Sequence, residues 1–103
     1  MFQPLDGPSR QLASTSLTTT TVVKVGLAGV ALEERKVVTI QPISGNIYIY
    51  FGDDSTTPNA TTVAADGFIQ TKNTLQSYEA SASQNLFILS VSGTIQVKIV
   101  ERA

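Results

Sequence analysis

Residues 37–54 read VVTIQPISGNIYIYFGDD. Apolar and polar side chains alternate through 37–41 and again through 46–51, and Ser44-Gly45 lies between the two runs. A period of two is that of a strand with one buried face, whereas a helix would space its apolar residues three and four apart. On this period Ile47, Ile49 and Phe51 share one face, which is expected in the core, and Tyr48 and Tyr50 share the other. Ser-Gly between two such runs predicts a hairpin, the glycine supplying the positive φ of a tight turn.

The same grammar returns in LFILSVSGTIQVKIVE, residues 86–101, where Ser92-Gly93 marks a second hairpin turn and Ile95, Val97 and Ile99 line one face. The likeness of the two segments follows from shared turn chemistry rather than from a duplicated unit. LTTTTVVKV, residues 17–25, is dense in β-branched residues and predicts a strand. Residues 68–70 and 75–80 read as two more. ALEERK, residues 31–36, is too short for an amphipathic helix and predicts a charged turn into the next strand. GDDSTTPNATTVAADG, residues 52–67, has turn residues throughout and predicts a long surface loop. Residues 1–16, with two prolines, a glycine and no periodicity, read as an extended arm.

About seven or eight short strands separated by turn signals predict an all-β chain. The expectation is a single small β-sandwich or jelly-roll-like domain over 17–103 behind an extended N-terminal arm over 1–16, with a small closed barrel as the alternative. The length of 103 residues fits one domain. Charged residues make up only 15%, against about 25% in ordinary soluble domains. Thirteen Thr and ten Ser take their place. Such a surface is poorly protected against association and favours a protein packed against others. The net charge of −1 and scattered basic residues give no attraction to nucleic acid. Cysteine is absent, which excludes disulfides and thiolate metal sites. MFQPLDGPSRQ has no signal-peptide pattern, and VVKVGLAGVAL, residues 22–32, is too short to span a bilayer. A soluble product made without export, with no membrane partner, is expected.

Histidine is also absent, which removes the usual general base, the nucleophilic triads and the commonest metal ligand. Glu33-Glu34 and Asp53-Asp54 are adjacent pairs, and strand neighbours point to opposite sides, so neither is an acid–base couple. DDSTT, residues 53–57, offers oxygen ligands but not the alternating carboxylates of a calcium loop, and a solvated acidic turn is the better reading. Gly26 and Gly29 follow a strand with no helix behind them, so no phosphate cradle forms. No enzyme activity, catalytic residue, metal or other cofactor is expected. Tyr48 and Tyr50 are the most informative side chains, as a rigid amphipathic patch for a protein or sugar partner, or as the cover of a sheet edge. The expected contact residues are Phe2, Leu5, Arg10 and Leu12 on the arm, Tyr48 and Tyr50, and Asp53 and Asp54 on the 52–67 loop.

RKVVTIQP, residues 35–42, then NIYIYFG, residues 46–52, then a polar loop and the closing LFILSVSGTIQVKIVE form an ordered series. It resembles small β-sandwich virion proteins of tailed bacteriophages, in which a "TIQN"-type strand, a "VYIGFG"-like strand and a "GTAxVRVLE"-like closing strand recur. The resemblance covers residues 35–101. This chain departs from the pattern at Tyr50, where a small residue is common, and in its long Thr-rich loop. The resemblance implies a non-enzymatic structural protein, foremost a capsid decoration (cement) protein with a jelly-roll-like fold. It would be made in the host cytoplasm, reside in the virion, and bind the major capsid protein, copies of itself, or both, as a homo-oligomer or in many copies. A head–tail connector or adaptor, a tail or fibre component, and a carbohydrate-binding β module using Tyr48 and Tyr50 are the alternatives.

Overall fold

The computed structural model describes residues 9–26, 30–52, 57–81 and 84–103. Among these residues nine strands form two antiparallel sheets: β1 (Ser9–Gln11), β2 (Thr15–Leu17), β3 (Val23–Lys24), β4 (Val37–Ile43), β5 (Ile47–Gly52), β6 (Phe68–Gln70), β7 (Gln76–Glu79), β8 (Asn85–Ser90) and β9 (Ile95–Arg102). A helix, α1 (Ala60–Asp66), lies between β5 and β6. In the first sheet β9 is flanked on one side by β1 and β2 and on the other by β4, which pairs with β7 at the far edge. The second sheet has the order β3-β8-β5-β6. The chain therefore changes sheet at most connections, and, with β1 and β2 sharing one edge of β9, the five-strand and four-strand layers follow a jelly-roll-like order.

The alternation read from the sequence sets the faces. Burial along β4 and β9 repeats every second residue, and Val38, Ile40, Ile47, Ile49, Leu86, Ile88, Val97 and Ile99 meet between the sheets with Leu12, Leu17 and Val25. Phe51 packs against this core as expected, edge-on to Tyr78 with ring centroids 5.8 Å apart. The pairing partners differ from expectation. Neither predicted hairpin is one: β4 pairs with β9 and β7, while β5 pairs with β8 and β6. Ser44-Gly45 and Ser92-Gly93 are corners at which the chain passes from one sheet to the other. The two corners sit side by side, because their strands pair layer by layer, and the Val91 N–H donates to the Asn46 carbonyl at 3.1 Å. In the first corner Ser44 takes the positive φ, 71°, and Gly45 has another task. A Cβ on it would come within 2.4 Å of the Ile95 side chain, so the glycine permits the close approach of the two corners. In the second, Gly93 does adopt φ 67°.

The single strand expected over 17–25 is broken as well. The chain leaves the first sheet after Leu17 and joins the second at Val23. Thr18 Oγ1 accepts from the Thr21 N–H at 3.2 Å, and such side-chain-to-backbone bonds compete with a continuous ladder. Residues 9–16 do not form an arm apart from the domain: β1 and β2 pair with β9, and β2 runs across the 16/17 boundary. The 52–67 segment is likewise more than a loop. Asn59 Oδ1 caps α1 by accepting from the Thr62 N–H at 2.8 Å, and the Gly67 N–H closes it on the Val63 carbonyl. The charged turn expected at 31–36 is present, with Glu34 at φ 60°.

Candidate functional site

The second sheet carries a layer on its outer side. Phe87 and Leu89 point away from the core, since their neighbours Leu86 and Ile88 point into it, yet both are buried. Helix α1 packs on β5 and β8 there and buries Val63. Tyr48 and Tyr50 belong to the same outer face, opposite Leu89 and Phe87 in register, and both are half-buried. The Tyr50 ring lies against Phe87, centroids 6.4 Å apart at 50°. The two tyrosines thus belong to a small apolar layer shared with α1.

The first sheet's charged end was not foreseen. Glu101 follows Ile95, Val97 and Ile99 on the inward face of β9 and has no exposed surface. Its Oε1 accepts from Nε and Nη2 of Arg10, and its Oε2 accepts from Arg35 Nη1 and the Leu32 N–H, each at 3.0 Å. Arg35, 2% exposed, spends its other four donors on main-chain carbonyls. Nε reaches Ala80 at 2.9 Å, Nη1 reaches Val25 at 3.3 Å, and Nη2 reaches Ser81 at 3.2 Å and Gln84 at 2.9 Å. All five guanidinium N–H groups and the acceptor sites of both carboxylate oxygens are engaged. Burial pushes the Glu101 carboxyl up, but the Leu32 N–H, the hydrogen bonds from Arg10 and Arg35 and the Arg10 charge outweigh it and hold the pKa below the usual carboxylate value. A groove of about 550 Å³ opens beside Lys36, Glu79, Ser81 and Gln84 with Arg35 in its wall. Arg35 has no donor left for a ligand there. The cluster ties the connections before β4 and after β3 and β7 to the end of β9, and its chemistry is that of a structural clamp.

Gln70 makes a corresponding tie across the open side between the edge strands β6 and β7. Its Nε2 donates to the Ile40 carbonyl at 2.8 Å, and its Oε1 accepts from the Tyr78 hydroxyl at 2.9 Å. Burial raises the Tyr78 pKa. Beyond this tie three large apolar side chains stand in water: Phe68 is 72% exposed, Ile69 59% and Leu75 68%, with Phe68 and Ile69 on opposite faces of β6. Among the described residues β6 pairs only with β5, and β7 only with β4, so both also present an unpaired strand edge.

The expected contact residues are therefore scattered. Leu12 is buried in the core and is corrected as a contact residue, because reaching a partner would open the sandwich. Arg10 directs its guanidinium to Glu101 and the Val30 carbonyl within the same chain. Tyr48 and Tyr50 lie on the helix-bearing face. Phe2, Leu5, Asp53 and Asp54 lie outside the described residues. Phe68, Ile69 and Leu75 were not singled out from the sequence, since strand propensity alone does not tell an edge from a centre. The strand signal held in that case and only the edge position escaped.

Among the described residues no three His, Cys, Asp or Glu side chains gather as metal ligands, and no helix is long and apolar enough to cross a membrane. Fold and site together define a small all-β sandwich held by a buried ion cluster, with three large apolar side chains exposed along its β6 and β7 edges. The chain matches no protein-family model, and no curated protein or solved structure matches it significantly.

Proposed function

We propose that this chain is a non-enzymatic structural protein that attaches in many copies to a protein shell, foremost as a decoration protein binding the major capsid subunits of a tailed phage. The observation that carries the reading is the open β6–β7 side. The domain buries its other strand-borne large aliphatic side chains at least in part and two of its charged groups completely, yet it leaves Phe68, Ile69 and Leu75 in water along two unpaired strand edges. Strand edges with free backbone donors and acceptors and exposed apolar side chains beside them bind protein by strand addition and side-chain burial. Three side chains contribute a minor part of the about 800 Å² per partner of a standard interface, so attachment to one subunit is weak and repetition over a shell supplies the avidity. The low charge and the hydroxyl-rich surface agree with a life in a packed assembly.

The test is the copy number of the chain in purified virions, by quantitative mass spectrometry against the major capsid protein, with wild-type chain and with the Phe68→Ser/Leu75→Ser double variant. A copy number that is a fixed large fraction of the capsid protein, lowered in a double variant that folds normally, is expected. A handful of copies would move the protein to the neck or tail, and absence from particles would overturn the reading.

A further inference from the structure

Arg10 and Arg35 hold the same carboxylate from opposite sides, but their situations differ. Arg35 is bound through four further hydrogen bonds to the carbonyls of Val25, Ala80, Ser81 and Gln84 and cannot leave without dismantling the sandwich. Arg10 stands on β1, an edge strand of three residues whose neighbours Ser9 and Gln11 are exposed. Apart from its contacts with Glu101, its guanidinium has one bond, to the Val30 carbonyl at 2.9 Å. Among the described residues β1 pairs with Val100, Glu101 and Arg102 of β9 alone. The next firm anchor is Leu12, which is buried in the core and whose N–H donates to the Ile99 carbonyl, and Leu17 in β2 follows it.

We propose that Glu101 is a releasable latch for the N-terminal strand: while ionised it fastens β1 on β9 through Arg10, and on protonation it lets residues 9–11 lift away from Leu12 and leaves the Val100–Arg102 edge of β9 free to accept another strand. The charged groups facing Glu101 are Arg10 from β1 and Arg35 from the segment before β4. β4 itself offers Val38 opposite it, and β2 faces β9 further along with Thr15 and Leu17. Neutral Glu101 keeps one oxygen that accepts from Arg35 or Leu32, but it no longer attracts two guanidinium groups. Arg35 is fixed by its carbonyls, so Arg10 is the partner released. The hinge is Leu12, whose side chain stays between the sheets, so release stops before β2 and spares the core. A freed β9 edge has the unpaired donors and acceptors of a strand-accepting template.

The test is amide hydrogen exchange on the full chain, wild type at pH 7 and at acid pH corrected for intrinsic exchange, and Arg10→Gln at pH 7. The variant keeps the Arg35–Glu101 pair and removes the latch. Loss of a charge-assisted hydrogen bond corresponds to exchange faster by on the order of ten- to a hundredfold. That acceleration is expected in residues 9–11 and 100–102 of Arg10→Gln at neutral pH, and of wild type in acid, exceeding any acceleration in β4, β5 and β8. Unchanged exchange in residues 9–11, or acceleration spread evenly over all strands, overturns the proposal. Should Arg10→Gln not fold, the wild-type acid series alone decides by the same criterion.

Discussion

Replacing Arg35 by alanine tests the structural reading of the ion cluster most directly. The side chain is almost fully buried and fills all five donor positions, so its removal acts on five acceptors at once. They are not equal. Ser81 and Gln84 are exposed residues, and water entering from the neighbouring groove can replace the guanidinium at their carbonyls. Val25 and Ala80 are buried, and Glu101 would keep Arg10 and the Leu32 N–H but lose its innermost partner. Removing one member of a buried pair costs about 3–5 kcal/mol, because the other charge stays behind unpaired. A domain of this size has about 5–15 kcal/mol in total. Arg35→Ala should therefore lower the melting temperature by at least about 12 °C, at 4 °C or more per kcal/mol for a small domain. Urea denaturation followed by circular dichroism measures it, and Glu101→Gln in both backgrounds gives the coupling. The reasoning fails if Arg35→Ala costs less than about 1 kcal/mol, the level of an exposed pair. It fails equally if Glu101→Gln costs the same with and without Arg35.

Acid should weaken the fold in a defined window. Glu101 has a folded pKa below the reference 4.5, so its contribution is complete above about that pH and falls as pH drops toward the lower folded value, where the unfolded chain binds the proton first; the urea midpoint of wild type should approach that of Glu101→Gln as the pH falls below the reference 4.5. Two glycines should respond for different reasons. A Cβ at Gly67 would stand 2.5 Å from the Val63 carbonyl oxygen and 3.1 Å from that of Ile49, both main chain, so Gly67→Ala must displace the end of α1 at about 1–3 kcal/mol. At Gly93 nothing lies within 4 Å, and Gly93→Ala meets only the strain of φ 67°, about 1 kcal/mol; thermal melts that rank Gly93→Ala as the costlier change would contradict the packing account.

Alternation made the faces legible because it is a local property. Each inward residue of β4, β5 and β9 could be named from its neighbours two positions away, and burial along those strands follows that reading. Pairing was not legible, because Ser-Gly between two alternating runs serves equally for a turn within one sheet and for a corner between two. What separates them is non-local: Gly45 must be small because Ile95, fifty positions on, fills the space. Helix α1 escaped for the opposite reason. It has a cap at Asn59 and a stop at Gly67, but with Val63 as its one buried residue it shows no helical periodicity.

Glu101 was within reach. The series Ile95, Val97, Ile99 extends by the same step to Glu101, and a carboxylate on the inward face of a strand demands a buried cation. The identity of that cation was not legible, since Arg35 sits in a turn, where no period tells inside from outside. The chain thus places its strongest electrostatic tie where one partner follows from pattern and the other only from the closed sandwich. The open β6–β7 side is the converse case. Its strands were read from the sequence but not its edges, because strand grammar does not mark an edge; that no further strand pairs with β6 and β7 among the described residues is a property of the whole topology. Stability in this domain resides in residues the pattern reveals in part, and its exposed apolar side chains in residues to which the pattern assigns no face. That division is why the fold could be read ahead of the structure and the candidate interface could not.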